Sequence, residues 1–212
     1  MDEDLVGTFG DFFTQRTIIR ATCPYDQADC VSDAQAQFSA WMAVSTPDDL
    51  STNPVNRHAR STIYCTALRN GGTAEAQFLQ ERANNCRNPQ ERNNLNSALS
   101  CASKDQGLKK HLEKVLLPGA YDVEDMAEAL VSNVEAKAAI KDIFFSQDQD
   151  LSSKLFNDKV EEMIGKYLAF GQGEADLTLA QHLKELFENN LGRKCQHLSR
   201  AVEKVRRNMQ IN

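Results

Sequence analysis

Six cysteines and four histidines are the most reactive side chains in this sequence, and their spacing limits what they could do. Cys23 and Cys30 are separated by six residues, and Cys65 and Cys101 bracket a longer stretch. In an oxidising compartment such pairs read as disulfides, and in a reducing one as metal or redox sites. A gap of six exceeds the roughly two to four residues of a zinc knuckle, and no histidine lies near Cys23 or Cys30, so metal is the weaker option. Spacing alone does not choose. Cys86 and Cys195 remain, either as a further pair or as two free buried thiols.

The histidines are His58, His111, His182 and His197, and none lies four residues from another, so there is no His-Glu-x-x-His zinc site. His111-Leu-Glu113 and His182-Leu-Lys-Glu185 fall on helical patterns, where surface or capping roles suffice. Glu161-Glu162 and the acidic run 122–128 are what solvated helix faces and helix N-termini contain. Gly171-Gln172-Gly173 follows a helix, not a strand, and lacks the third glycine or the Lys-Ser/Thr of a phosphate loop. No Gly-x-Ser-x-Gly elbow occurs. Tyr64, within Ile-Tyr-Cys, reads as a core or rim aromatic, with a ligand-facing position as the alternative. No catalytic residue and no metal-ligand set is expected.

The elements that carry these residues follow a helical period throughout. The organising stretch, residues 60–101, has apolar faces at Ile63, Tyr64, Ala67 and Leu68, then Phe78 and Leu79, then Leu95, Ala98 and Leu99, with breaks at Gly71-Gly72 and Asn88-Pro89. Upstream, Leu5, Phe9, Phe12 and Phe13 mark a first helix, and Ser32-Asp33 opens a second through Phe38, Trp41 and Met42. A turn-rich link over 43–56 joins it to the organising stretch. Downstream, Asp105 begins a helix with Leu108, Leu112, Val115 and Leu116, and a run to Phe145 takes in Val134, Ile140 and Ile143. Two more precede Gly192, and a last helix carries Leu198, Val202 and Val205. About ten helices, each with one apolar stripe and none able to bury it alone, predict an all-α fold, an α-solenoid of HEAT-like stacked helical hairpins. The whole of 1–212 reads as one helical repeat domain.

With 41% hydrophobic residues the chain can bury a core, and its net charge of -6 is spread without a basic block, which argues against nucleic acid or a polybasic membrane patch. No apolar run reaches the ~20 residues of a membrane span. Met1 leads straight into a helical pattern, as in a chain that starts inside a larger architecture. A fragment is expected, with Leu5, Phe9, Phe12 and Phe13 as the apolar face turned to what is missing.

Ser61-Thr-Ile-Tyr-Cys65-Thr-Ala-Leu-Arg-Asn-Gly-Gly72, Asn96-Ser-Ala-Leu-Ser-Cys101, Lys110-His-Leu-Glu-Lys-Val-Leu, the loop from Ala21-Thr-Cys23 to Cys30, and Phe38-Ser-Ala-Trp41 together resemble the C-terminal helical domain of the aminopeptidase N-like zinc aminopeptidases, the gluzincin family. The resemblance runs over residues 17–208 and ends in Arg200-Ala-Val-Glu-Lys-Val-Arg-Arg-Asn208. It implies disulfides Cys23 to Cys30 and Cys65 to Cys101, and a parent that is an extracellular or cell-surface ectodomain. The family's zinc motif and Gly-x-Met-x-Asn exopeptidase motif lie upstream and are absent here, so zinc belongs to the parent only and this chain alone should hydrolyse nothing. The implied role is to cover the active-site chamber, with Tyr64 lining it or at its rim. The implied partners are the parent's catalytic domain, its peptide substrates and, in a homodimer, a second copy; neither nucleic acid nor direct membrane insertion is expected. An autonomous extracellular helical binding module is the alternative.

Overall fold

The computed structural model describes Cys23 and residues 27–116, 127, 129–131, 133–145 and 154–211. Nine helices with bounds lie within these residues and no strand does, an all-α architecture for the described part of the chain. Cα packing divides it into two compact units, Met1–Leu99 and Ser100–Asn212. Leu5, Phe9, Phe12 and Phe13 lie outside the described residues.

The first unit contains α1 (Ala28–Met42), α2 (Arg60–Arg69), α3 (Thr73–Asn85) and α4 (Pro89–Leu99). Helix α1 packs on α2, and α4 packs on both α2 and α3. It starts at Ala28 and not at Ser32, because Val31 N–H already reaches the Gln27 carbonyl at 3.0 Å and closes a first turn that includes Cys30. Gly71 ends α2 for a steric reason: a Cβ there would lie 2.8 Å from the Ala67 carbonyl oxygen. The next two helices are capped by residues the sequence displays. Gly72 N–H donates to the Glu75 carboxylate at 2.8 Å, and Glu91 N–H donates to the Asn88 side chain at 3.0 Å, with Pro89 at the first helical position. The core is aromatic: Trp41 stacks on Tyr64 with centroids 4.8 Å apart, while Phe38 and Phe78 meet Trp41 edge-on at 5.7 and 4.8 Å.

The second unit contains α5 (Leu108–Val115), α6 (Ala136–Phe144), α7 (Asp158–Leu168), α8 (Glu174–Leu191) and α9 (Gln196–Ile211). Helix α5 packs on α6, and α9 packs along α7 and α8. Helix α5 begins at Leu108, three residues later than the Asp105 start, because Gly107 takes a left-handed φ of 91° that only glycine adopts readily. Val134 leaves the apolar stripe altogether and is 95% exposed. The Asn133 side chain donates to the Ser100 and Ala102 carbonyls, both at 2.8 Å, and accepts from Glu135 N–H at 3.0 Å, which forces a turn where periodicity alone continues the helix. Gly192, φ 65°, ends α8 in the left-handed form its sequence position predicts.

The N-terminus of α9 is capped from other helices. Glu161 of α7, 2% exposed, accepts from Leu198 N–H at 2.9 Å, and Glu188 of α8 accepts from Cys195 N–H at 3.1 Å.

Candidate functional site

The densest set of buried polar chemistry among the described residues sits in the first unit, where α2, α4 and the link 43–59 meet. Arg60 is 8% exposed and places one guanidinium nitrogen 3.2 Å from Glu91 Oε2, while its other nitrogens donate to the Val55 and Leu50 carbonyls, both at 3.2 Å. Tyr64 donates its hydroxyl proton to Glu91 Oε1 at 2.7 Å and accepts from Asn53 Nδ2 at 2.6 Å. Asn94 adds a donor to Glu91 Oε2 at 3.1 Å. A carboxylate that receives three side chains is satisfied in the sense buried charge requires. Burial, and then the charge of Glu91, push the Tyr64 hydroxyl far above its ordinary range, so it stays a donor at every physiological pH.

This geometry anchors a loop and offers no room for a reaction. Trp41 Nε1 donates to the Pro47 carbonyl at 3.2 Å, so Trp41, Arg60 and Tyr64 together pin the link between α1 and α2. Tyr64 is 0% exposed and packs in the core of the first unit. Tyr64→Phe removes one donor and one acceptor and is expected to cost ~1–3 kcal/mol. Urea unfolding followed by the fluorescence of the single tryptophan, Trp41, measures it.

The sequence-selected thiols and imidazoles do not converge. Cys23 and Cys30 are joined by a disulfide with Cα atoms 5.4 Å apart. Cys65 and Cys101 are each disulfide-bonded, and Cys86 and Cys195 are free thiols. Burial raises the pKa of both free thiols, and Cys195 is 0% exposed, so neither is a ready thiolate. His111 is 4% exposed and lies 3.4 Å from the Ser100 hydroxyl, which is itself fully buried and closed to any substrate. His58 meets Arg57, and His182 is exposed on α8. Among the described residues no three His, Cys, Asp or Glu side chains come together as a metal site needs. No cluster among the described residues fits a zinc ion.

The Gly171-Gln172-Gly173 amides, which resemble an anion cradle on paper, are already filled. Asp176, at the third position of α8, accepts from Gln172 N–H at 3.1 Å and Gly173 N–H at 3.3 Å and pairs with Lys137. Burial alone would raise the Asp176 pKa, but Lys137 and the two amides outweigh it and hold the carboxyl below its ordinary value. Glu188 is held low by Lys184, 2.8 Å away, and by Cys195 N–H. A group with a depressed folded pKa stabilises the fold above its unfolded pKa and loses that contribution as pH falls through the folded one. The unfolding midpoint is therefore expected to be flat above about pH 5 and to drop below about pH 4. Asp176→Asn, which keeps an acceptor but no titrating group, should give a shallower drop in a pH series of denaturant melts.

The described residues form an all-helical scaffold that carries disulfides. Residues 6–210 match the ERAP1-like C-terminal domain family, and the chain belongs to that family. It is 26% identical over 209 residues to aminopeptidase N of Homo sapiens, covering 94% of this chain but 21% of that protein. It is 29% identical over 154 residues to aminopeptidase N of Oryctolagus cuniculus, covering 71% and 15%, and 27% identical over 122 residues to aminopeptidase Ey of Gallus gallus, covering 58% and 12%. The chain thus spans at most about a fifth of the length of these relatives. No helix among the described residues is long and apolar enough to cross a membrane.

Proposed function

We propose that this chain is the distal, non-catalytic part of the helical C-terminal domain of a zinc-dependent aminopeptidase that removes N-terminal residues from peptides. The observation that carries the reading is the match of residues 6–210 to the C-terminal domain family together with a span of only 21% of human aminopeptidase N. In this reading 1–212 is a single repeat domain of stacked helical hairpins that covers the active-site chamber, and zinc is held upstream of it. Its partners are the catalytic domain, the parent's peptide substrates and a second copy in a homodimer. The disulfides fit an extracellular or cell-surface ectodomain. Leu5, Phe9, Phe12 and Phe13 are the residues proposed to meet the rest of the parent.

Binding tests this. The polypeptide encoded upstream of this chain, produced separately, should co-elute with the 212-residue chain from a sizing column, and Phe9→Asp with Phe12→Asp should abolish co-elution. A monodisperse chain with no affinity for that polypeptide contradicts the reading and leaves the autonomous binding module.

A further inference from the structure

We infer that the second unit carries a docking surface for an acidic, amphipathic polypeptide segment, with an apolar groove at Phe170 and the basic face of α9 acting together. Three of the exposed large hydrophobic residues, Val131, Val134 and Phe170, line one groove of about 330 Å3 beside Tyr167 and Leu168. Val134 is 95% exposed and Phe170 52%. Exposed apolar side chains gathered in one concavity are the usual mark of an unfilled contact. The Lys137 charge in this groove is neutralised by Asp176, so the groove itself favours apolar groups without choosing a sign.

The sign comes from α9. Arg200, Lys204 and Arg207 recur at i, i+4 and i+7, so they share one face of the helix, and all three are exposed without an ion-pair partner among the described residues. Residues 193–211 hold six lysines and arginines against Glu203 alone, a charge of +5 in a chain whose total is -6, which leaves -11 elsewhere. This row runs into the groove. Lys204 Nζ lies 5.1 Å from the centre of the Phe170 ring, and Asn208 Nδ2 donates to the Gly171 carbonyl at 2.9 Å, which fixes α9 against the turn that presents Phe170. The row covers about 10 Å of helix, room for two or three carboxylates. A segment with apolar side chains for the groove and carboxylates for the row satisfies both halves. A long polyanion satisfies only one, and would extend into surface of its own sign. The inference goes beyond the proposed aminopeptidase role and does not require it, since the site lies within this unit.

The probe is a fluorescein-labelled peptide of leucine and glutamate, with leucines at i, i+3, i+4 and i+7, titrated with the full 212-residue chain and read by anisotropy. Its lysine counterpart, polyglutamate and heparin are the comparisons. The leucine–glutamate peptide is expected to bind, and to weaken about tenfold or more when salt rises from about 0.05 to about 0.5 M. Lys204→Glu with Arg207→Glu, and separately Val134→Asp, should each weaken it about tenfold. Val134 sits exposed in a turn, so this second variant keeps the fold, which circular dichroism checks. The inference is overturned if the peptide does not bind, if polyglutamate or heparin binds as tightly, if Val134→Asp has no effect, or if sedimentation shows this face pairing with a second copy of the chain. Failure of co-elution with the upstream polypeptide would leave these results untouched.

Discussion

Replacing Glu91 by alanine is expected to cost about 3–5 kcal/mol, because it strands a buried guanidinium and a buried phenol at once. Arg60 keeps its carbonyl partners Val55 and Leu50 but loses its counter-charge among the described residues, and Tyr64 loses the acceptor 2.7 Å away. Against a typical total of ~5–15 kcal/mol, that loss brings the first unit close to unfolding. Removing the pair as a unit behaves differently: Arg60→Met with Glu91→Leu fills similar space without a charge, and such swaps are often near neutral. The double variant is therefore expected to be more stable than Glu91→Ala alone. Urea melts of the unaltered chain and the two variants, followed at Trp41, measure this. A loss below about 1 kcal/mol for Glu91→Ala would mean that water reaches the carboxylate.

Gly165→Ala should also destabilise, although on helix propensity alone alanine gains about 1 kcal/mol over glycine. The Cβ would lie 2.7 Å from the carbonyl carbon of His197 and 2.7 Å from its Cβ. Backbone cannot swing aside, so α7 and α9 must separate. Overpacking of this kind costs ~1–3 kcal/mol. The separation also stretches the 2.9 Å bond from Leu198 N–H to Glu161, one turn from Gly165 on α7, and a carboxylate 2% exposed has no water to turn to. Gly165→Val should be worse still. Circular dichroism melts and amide hydrogen exchange over α7 and α9 read the effect; a stabilised Gly165→Ala would show that the two helices do not approach as described.

The parts of the fold that were legible in sequence are the local ones. The Gly71-Gly72 and Gly171–Gly173 breaks, Pro89 at a helix start and Gly192 at a helix end each act through the backbone of their own turn. The polar anchor was not legible, since Arg60 and Glu91 are 31 residues apart and each, read alone, looks like a solvated helix charge. Gly165 reads as a flaw in a helix until His197 is seen against it. The acceptors at the N-terminus of helix α9 come from Glu161 and Glu188 on other helices, which local pattern does not show. Val134 fits the apolar period and is excluded from it only by Asn133 reaching back to carbonyls 31 and 33 residues earlier. Tyr64 reads in sequence as a core or rim aromatic, and the partners that anchor it, Asn53 and Glu91, lie 11 and 27 residues away, beyond the reach of local pattern.

On the proposed function, this chain completes an aminopeptidase without performing its chemistry. The most direct measurement is the rate of N-terminal residue release from a peptide by three zinc-supplemented samples: this chain, the polypeptide encoded upstream of it, and the two joined in their natural order. No hydrolysis by this chain is expected, and the joined protein should differ clearly in rate or peptide selectivity from the upstream part. Hydrolysis by this chain alone, or an upstream part that matches the joined protein on every peptide, would contradict it.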